Sequence, residues 1–127
     1  MKNIKKLLIL GFHSTNIMLI IFYLYPGSLF GHFLYGDSLI QPHLTRDFLV
    51  SSNHLYVFII LSFLGVVAYQ KTPNINFVII YLFLSSIILE LCHAIIPARE
   101  FEWVDLFGNI LGVFFVIIIY KIKNKHA

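Results

Sequence analysis

ELCHAIIPAREFEWVDLFGNILG, residues 90–112, sets Glu90, His93, Arg99, Glu102, Asp105 and Asn109 between two nearly unbroken apolar runs. Pro97 closes the first run, because its ring removes a backbone donor and disfavours helix in the residue before it. The pattern reads as two apolar helices joined by a short polar turn. Charges at the ends of such helices are costly unless they meet partners or water.

The rest of the chain fits that reading. Of its 127 residues, 59% are hydrophobic and only 12% are charged. Ordinary soluble domains carry roughly 25% charged residues. The mean hydropathy is +0.87. A domain this small exposes most of its residues, so it cannot hide that much apolar surface from water. Lipid is the solvent such a composition calls for. The formal charge of +3 comes largely from Lys2, Lys5 and Lys6 at one end and Lys121, Lys123 and Lys125 at the other. Lysines flanking apolar spans are topology signals before they are a nucleic-acid surface, and no nucleic-acid partner is expected. Cys92 is the single cysteine, so no internal disulfide can form.

A hydrocarbon core of about 30 Å takes roughly 20 helical residues. Four spans are expected, at about 7–25, 53–69, 77–96 and 103–120, in one domain covering 1–127. The fold class is therefore all-α, an integral membrane four-helix bundle. The first span carries HSTN in its middle and leads into YPGSLFG rather than a small-residue cleavage site, so it reads as a retained helix and not a signal peptide. Both termini and the QK turn at 70–71 hold the lysines, which places them in the cytoplasm by the positive-inside rule. The long connection at 26–52 and the short IPAREFE connection then face outward. Tyr25 and Trp103 fall at the outer interface and Tyr69 and Tyr120 at the inner one. Within the long loop, LFGHFLYG either lies in the interface as an amphipathic or re-entrant piece or packs over the helix ends.

That topology gathers scattered residues at one depth. Asn53 and His54 open the second span, Glu90 and His93 lie near the end of the third, and Asp105 and Asn109 begin the fourth. Arg99 sits in the turn, and its planar fork suits Glu90, Asp105 or a ligand phosphate. At about 100° per residue, Glu90 and His93 share one face, and Asp105, Asn109 and Gly112 share one stripe. Gly108-x-x-x-Gly112 is a close-packing signature for a neighbouring helix. His13, Ser14, Thr15 and Asn16 read as bonds back to their own helix or clips to a neighbour. His32 and His43 read as surface residues, and His126 as tail. His54, His93, Glu90 and Asp105 make an unusual ligand set, so no metal is expected and no cofactor motif is present.

The pattern Glu90-x-x-His93, Pro97, Arg99, Asp105, Asn109 and Gly112 resembles the signature of the VanZ-like family, small bacterial membrane proteins named for a member associated with teicoplanin resistance. The family usually has Gln where His93 stands. YPGSLFGHFLYGD resembles its Pro-Gly outer loop. SSNHLYVF is similar to its Asp-Lys-x-x-His-Phe region, with Asn53 for Asp, His54 for Lys, Val57 for His and Phe58 matching; a shifted register aligns His54 with the family's His instead. In both registers the charged pair is missing. The resemblance implies a multi-pass protein of the bacterial cytoplasmic membrane, linked to cell-envelope glycan metabolism or the glycopeptide response. It implies no particular reaction. Three functions follow as expectations. One is binding or modulation of membrane lipid, lipid-linked glycan or glycopeptide through an outer polar pocket. Another is an enzyme using Glu90 with His93, or Asp105, as general base on an envelope head group. The third is a structural subunit docked on a membrane-protein partner.

Overall fold

The computed structural model describes residues 2–125, and His126 of the lysine-rich tail lies outside them. The described residues form five helices and no strand: α1 (Lys2–Leu24), α2 (Leu29–Tyr35), α3 (Ser52–Tyr69), α4 (Ile75–Cys92) and α5 (Trp103–Lys125). Four of these, all but α2, are long and apolar enough to cross a membrane. Their outward faces carry exposed side chains such as Leu7, Ile17, Phe77, Ile80, Phe114 and Ile119, where a water-soluble bundle would put charge. The protein is a multi-pass membrane protein.

α3 touches each of the other three long helices and packs most extensively against α5. The reason lies in two glycines. A Cβ on Gly108 would stand 2.9 Å from the Ser51 carbonyl oxygen, and one on Gly112 would stand 2.6 Å from that of Leu55. Only a bare backbone lets α5 come so close to α3. Phe58, Leu61, Leu82 and Val113 fill the core with essentially no exposure. α1 is fastened by polar clips as well as by packing. His13 Nε2 lies 2.8 Å from Tyr69 Oη, and the Tyr81 hydroxyl donates to Asn16 Oδ1 at 2.8 Å.

Helix bounds differ from the hydropathic spans in two instructive places. α1 and α5 run on through their lysines, because lysine is a good helix former and helix need not stop where lipid does. α4 ends at Cys92, four residues before the expected end at 96. Residues 93–96 tighten into turns, with the Ala94 and Ile95 amides donating to the Leu91 and Cys92 carbonyls. Pro97 disfavours α geometry just ahead of it, and His93 turns its side chain inward.

The connection between α1 and α3 is ordered by local bonds. α2 is capped by the Ser28 hydroxyl, which accepts from the Gly31 amide, and ends on Gly36 at φ 69°. Asn53 clamps the following segment: its amide donates to the Pro42 carbonyl at 2.8 Å and its oxygen accepts from the Leu44 amide at 2.9 Å. Asp47 Oδ1 accepts from the Ser52 amide at 2.8 Å, in place of a side-chain bond from the N-cap residue Ser51. That backbone bond holds the Asp47 carboxyl below its ordinary range.

Candidate functional site

Tyr23 near the end of α1, His54 at the start of α3, Glu90 in the last turn of α4 and Asp105 and Asn109 in the first turns of α5 meet at one end of the bundle. The long helices alternate in direction, so the lysine-bearing ends of α1 and α5 lie at the other end. Two of these polar side chains, Glu90 and Asn109, are completely buried, and His54 is 5% exposed.

Asn109 organises the centre. Its Nδ2 donates to the Ser86 carbonyl at 3.1 Å, which turns Oδ1 toward Tyr23 and His54. The Tyr23 hydroxyl donates to that oxygen at 2.6 Å. His54 Nδ1 lies 3.1 Å from the same oxygen and 2.9 Å from the Tyr23 hydroxyl. Since the tyrosine's one proton points at Asn109, both neighbours of Nδ1 are acceptors, and Nδ1 carries a hydrogen. Nε2 is the other end of the ring, 3.3 Å from Asp105 Oδ2.

Glu90 is held on one oxygen and free on the other. Oε1 lies 3.2 Å from His93 Nδ1 and accepts from the Glu102 amide at 3.3 Å. Oε2 is buried without a hydrogen-bond partner and stands 3.5 Å from His54 Nδ1, with no hydrogen-bond alignment. His93 Nε2 lies 3.1 Å from the Tyr23 carbonyl, which can only accept, so this nitrogen donates. The His93 ring also stacks on Tyr23, centroids 5.2 Å apart.

Of the partners the sequence offers Arg99, which are Glu90, Asp105 or a ligand phosphate, the structure pairs it with neither carboxylate, and it lines the cleft described below. Its Nε donates to the Tyr25 carbonyl at 3.2 Å and its Nη2 to that of Phe22 at 2.7 Å. Nη1 reaches Gln41 at 3.3 Å. The fork thus satisfies carbonyls left over at the end of α1. Ala98, at φ 58°, supplies the reversal that aims it there. Burial lowers the guanidinium from its ordinary value without discharging it. Asn53, also expected in the cluster, faces the loop through the clamp described above. The reason is physical: the carbonyls at the end of α1 have no donor within their own helix, and the loop needs an anchor.

The Arg99→Ala variant is accordingly expected to lose about 1–2 kcal/mol through orphaned carbonyls. Arg99→Lys should recover only part, because an ammonium cannot fork across Phe22, Tyr25 and Gln41. Detergent melting curves of the three proteins check this, and an unchanged alanine variant would refute it.

Above the buried cluster lies an open cleft of about 430 Å³ lined by Leu39, Gln41, His93, Ala98, Arg99, Glu100, Glu102 and Asp105. It is acidic on balance. The Asp105 charge, with burial and Glu100 adding to it, raises the Glu102 carboxyl above its usual range. Trp103 stands exposed at the start of α5, its ring in edge contact with Phe101.

Tyr23, Gln41 and Glu102 were not among the residues expected at this site. Tyr23 lies one turn before Pro26, at the depth of His54, and that depth was the available signal. No family model, no curated protein and no solved structure matches the chain.

Proposed function

We propose that this protein is a VanZ-like protein of the bacterial cytoplasmic membrane that binds the glycan head group of an envelope amphiphile. The lysine ends lie in the cytoplasm and the cleft faces outward, in keeping with the positive-inside rule. The observation that carries the reading is the cleft's lining. Three carboxylates, Gln41 and one guanidinium already engaged by carbonyls offer hydrogen bonds to hydroxyls and amino groups. They offer little to a bare phosphate, which Glu100, Glu102 and Asp105 would repel. Exposed Leu39 lines the cleft and exposed Trp103 follows Glu102 of its lining in the chain, and the two suit the lipid tail and the sugar face. The spacing Glu90, Pro97, Arg99, Asp105, Asn109 and Gly112 supports the family reading and the link to teicoplanin response.

A second reading, an enzyme acting on the same head group, is favoured by Asp105, which belongs to the buried cluster and also lines the cleft, where its carboxylate can serve as general base.

The test is native mass spectrometry of the protein in nanodiscs with a polyprenyl-linked amino sugar or with phosphatidylglycerol. Retention of the glycan lipid over phosphatidylglycerol is expected, weakened roughly tenfold in Gln41→Ala/Glu102→Gln, which removes two or so hydrogen bonds. Equal retention of both lipids, or a double variant that binds like the parent, would overturn the reading.

A further inference from the structure

We propose that His54, Glu90 and Asp105 form a binding site for a divalent transition-metal ion, of which Zn²⁺ is the best-matched. The inference stands apart from the head-group reading, although the site borders the same cleft.

One ligand atom from each of these three residues lies within 4.8 Å of the others. Around zinc, nitrogen and oxygen ligands at about 2.0–2.2 Å lie roughly 3.4 Å from one another. His54 Nε2 and Asp105 Oδ2, 3.3 Å apart, already stand at that separation, while Glu90, whose Oε2 lies 3.5 Å from Nδ1, has to swing toward Nε2 to complete the set. A grouping of acids and a histidine is common without an ion. Two further observations give this one its direction.

The first is Glu90. Its Oε2 is fully buried, unpartnered, and turned toward the His54 ring. A carboxylate oxygen in that position lacks a donor or a cation. Arg99, whose fork the sequence offers to Glu90, Asp105 or a ligand phosphate, has its donors on Phe22, Tyr25 and Gln41. A divalent ion between Glu90 and Asp105 neutralises both carboxylates at once.

The second is the tautomer of His54. Asn109 and Tyr23 require a hydrogen on Nδ1, which leaves Nε2, facing Asp105, with a lone pair when the ring is neutral. Metal-ligating histidines are ordinarily oriented in this way, by donating the other ring N–H to an oxygen. Imidazole with two carboxylates suits zinc better than magnesium or calcium, which prefer all-oxygen sets. Three protein ligands leave a coordination position open. Of the three ligands Asp105 lines the cleft, so the site borders the cleft on that side.

The experiment uses the full chain in detergent, purified on a tag without histidines and stripped with a chelator. Zn²⁺ is titrated while melting temperature and bound metal are measured, and Co²⁺ is added as a spectroscopic probe. About one zinc per chain is expected, with a rise in melting temperature on binding. Glu90→Gln and Asp105→Asn, which keep shape and remove one charge each, should weaken binding more than about tenfold. A parent that binds no zinc and melts unchanged would overturn the site and leave a network held by protons. So would charge-removed variants that bind as tightly as the parent. If those variants fail to fold, X-ray absorption of the loaded parent decides: one imidazole with oxygen ligands supports the site, and a shell of several imidazoles overturns it. Loss of glycan-lipid retention with zinc binding intact would count against the head-group reading alone.

Discussion

The Gly112→Leu variant is expected to lose most of its stability, by upwards of about 3 kcal/mol. At this position even a first side-chain carbon would stand 2.6 Å from the Leu55 carbonyl oxygen, 2.9 Å from Phe58 Cβ and 3.0 Å from the Ile59 amide nitrogen. Two of those atoms are backbone, so relief requires α5 to move off α3. Phe58 and Val113, both completely buried beside the contact, would lose their packing in that movement. Gly112→Ala meets the same atoms with one carbon and should cost less, about 1–3 kcal/mol. Unfolding in SDS, followed through the fluorescence of the chain's one tryptophan, Trp103, measures both. A leucine variant as stable as the parent would show that the two helices do not meet at this glycine.

Asn109→Ala is expected to cost roughly 2–4 kcal/mol, the loss for several buried polar groups left without partners. The Tyr23 hydroxyl, the His54 Nδ1 hydrogen and the Ser86 carbonyl all depend on this one amide. Interhelical hydrogen bonds in membranes average nearer 0.6 kcal/mol, so the lower end applies if the neighbours find new partners. Tyr23→Phe removes a single member and should cost about 1 kcal/mol. The double variant should be less destabilised than the sum, since Tyr23 has then no proton to place. Additive losses, measured by the same SDS unfolding, would show that Tyr23 and Asn109 act separately.

The four apolar helices were legible in the sequence because lipid solvation is a composition effect. It needs only runs of apolar residues of sufficient length, punctuated by Pro26, Pro73 and Pro97. The close approach at Gly108 and Gly112 was legible for a similar reason: two small residues four apart lie on one helical face whatever the rest of the fold does. Depth was legible too, and it brought Glu90, His93, Asp105, Asn109 and His54 to one end of the bundle. The tertiary structure alone decided who bonds to whom. Residues at one depth still face different directions, and a direction is set by how helices rotate against one another. Hence Asn53 turned to the loop while His54, its neighbour, turned to the core, since consecutive helical residues point about 100° apart. Arg99 went to the carbonyls of Phe22 and Tyr25 because α1 ends beside it, a proximity of residues more than seventy positions apart. Tyr23 entered the cluster by the same route, and Glu90 kept one oxygen free because its expected partner had been drawn away.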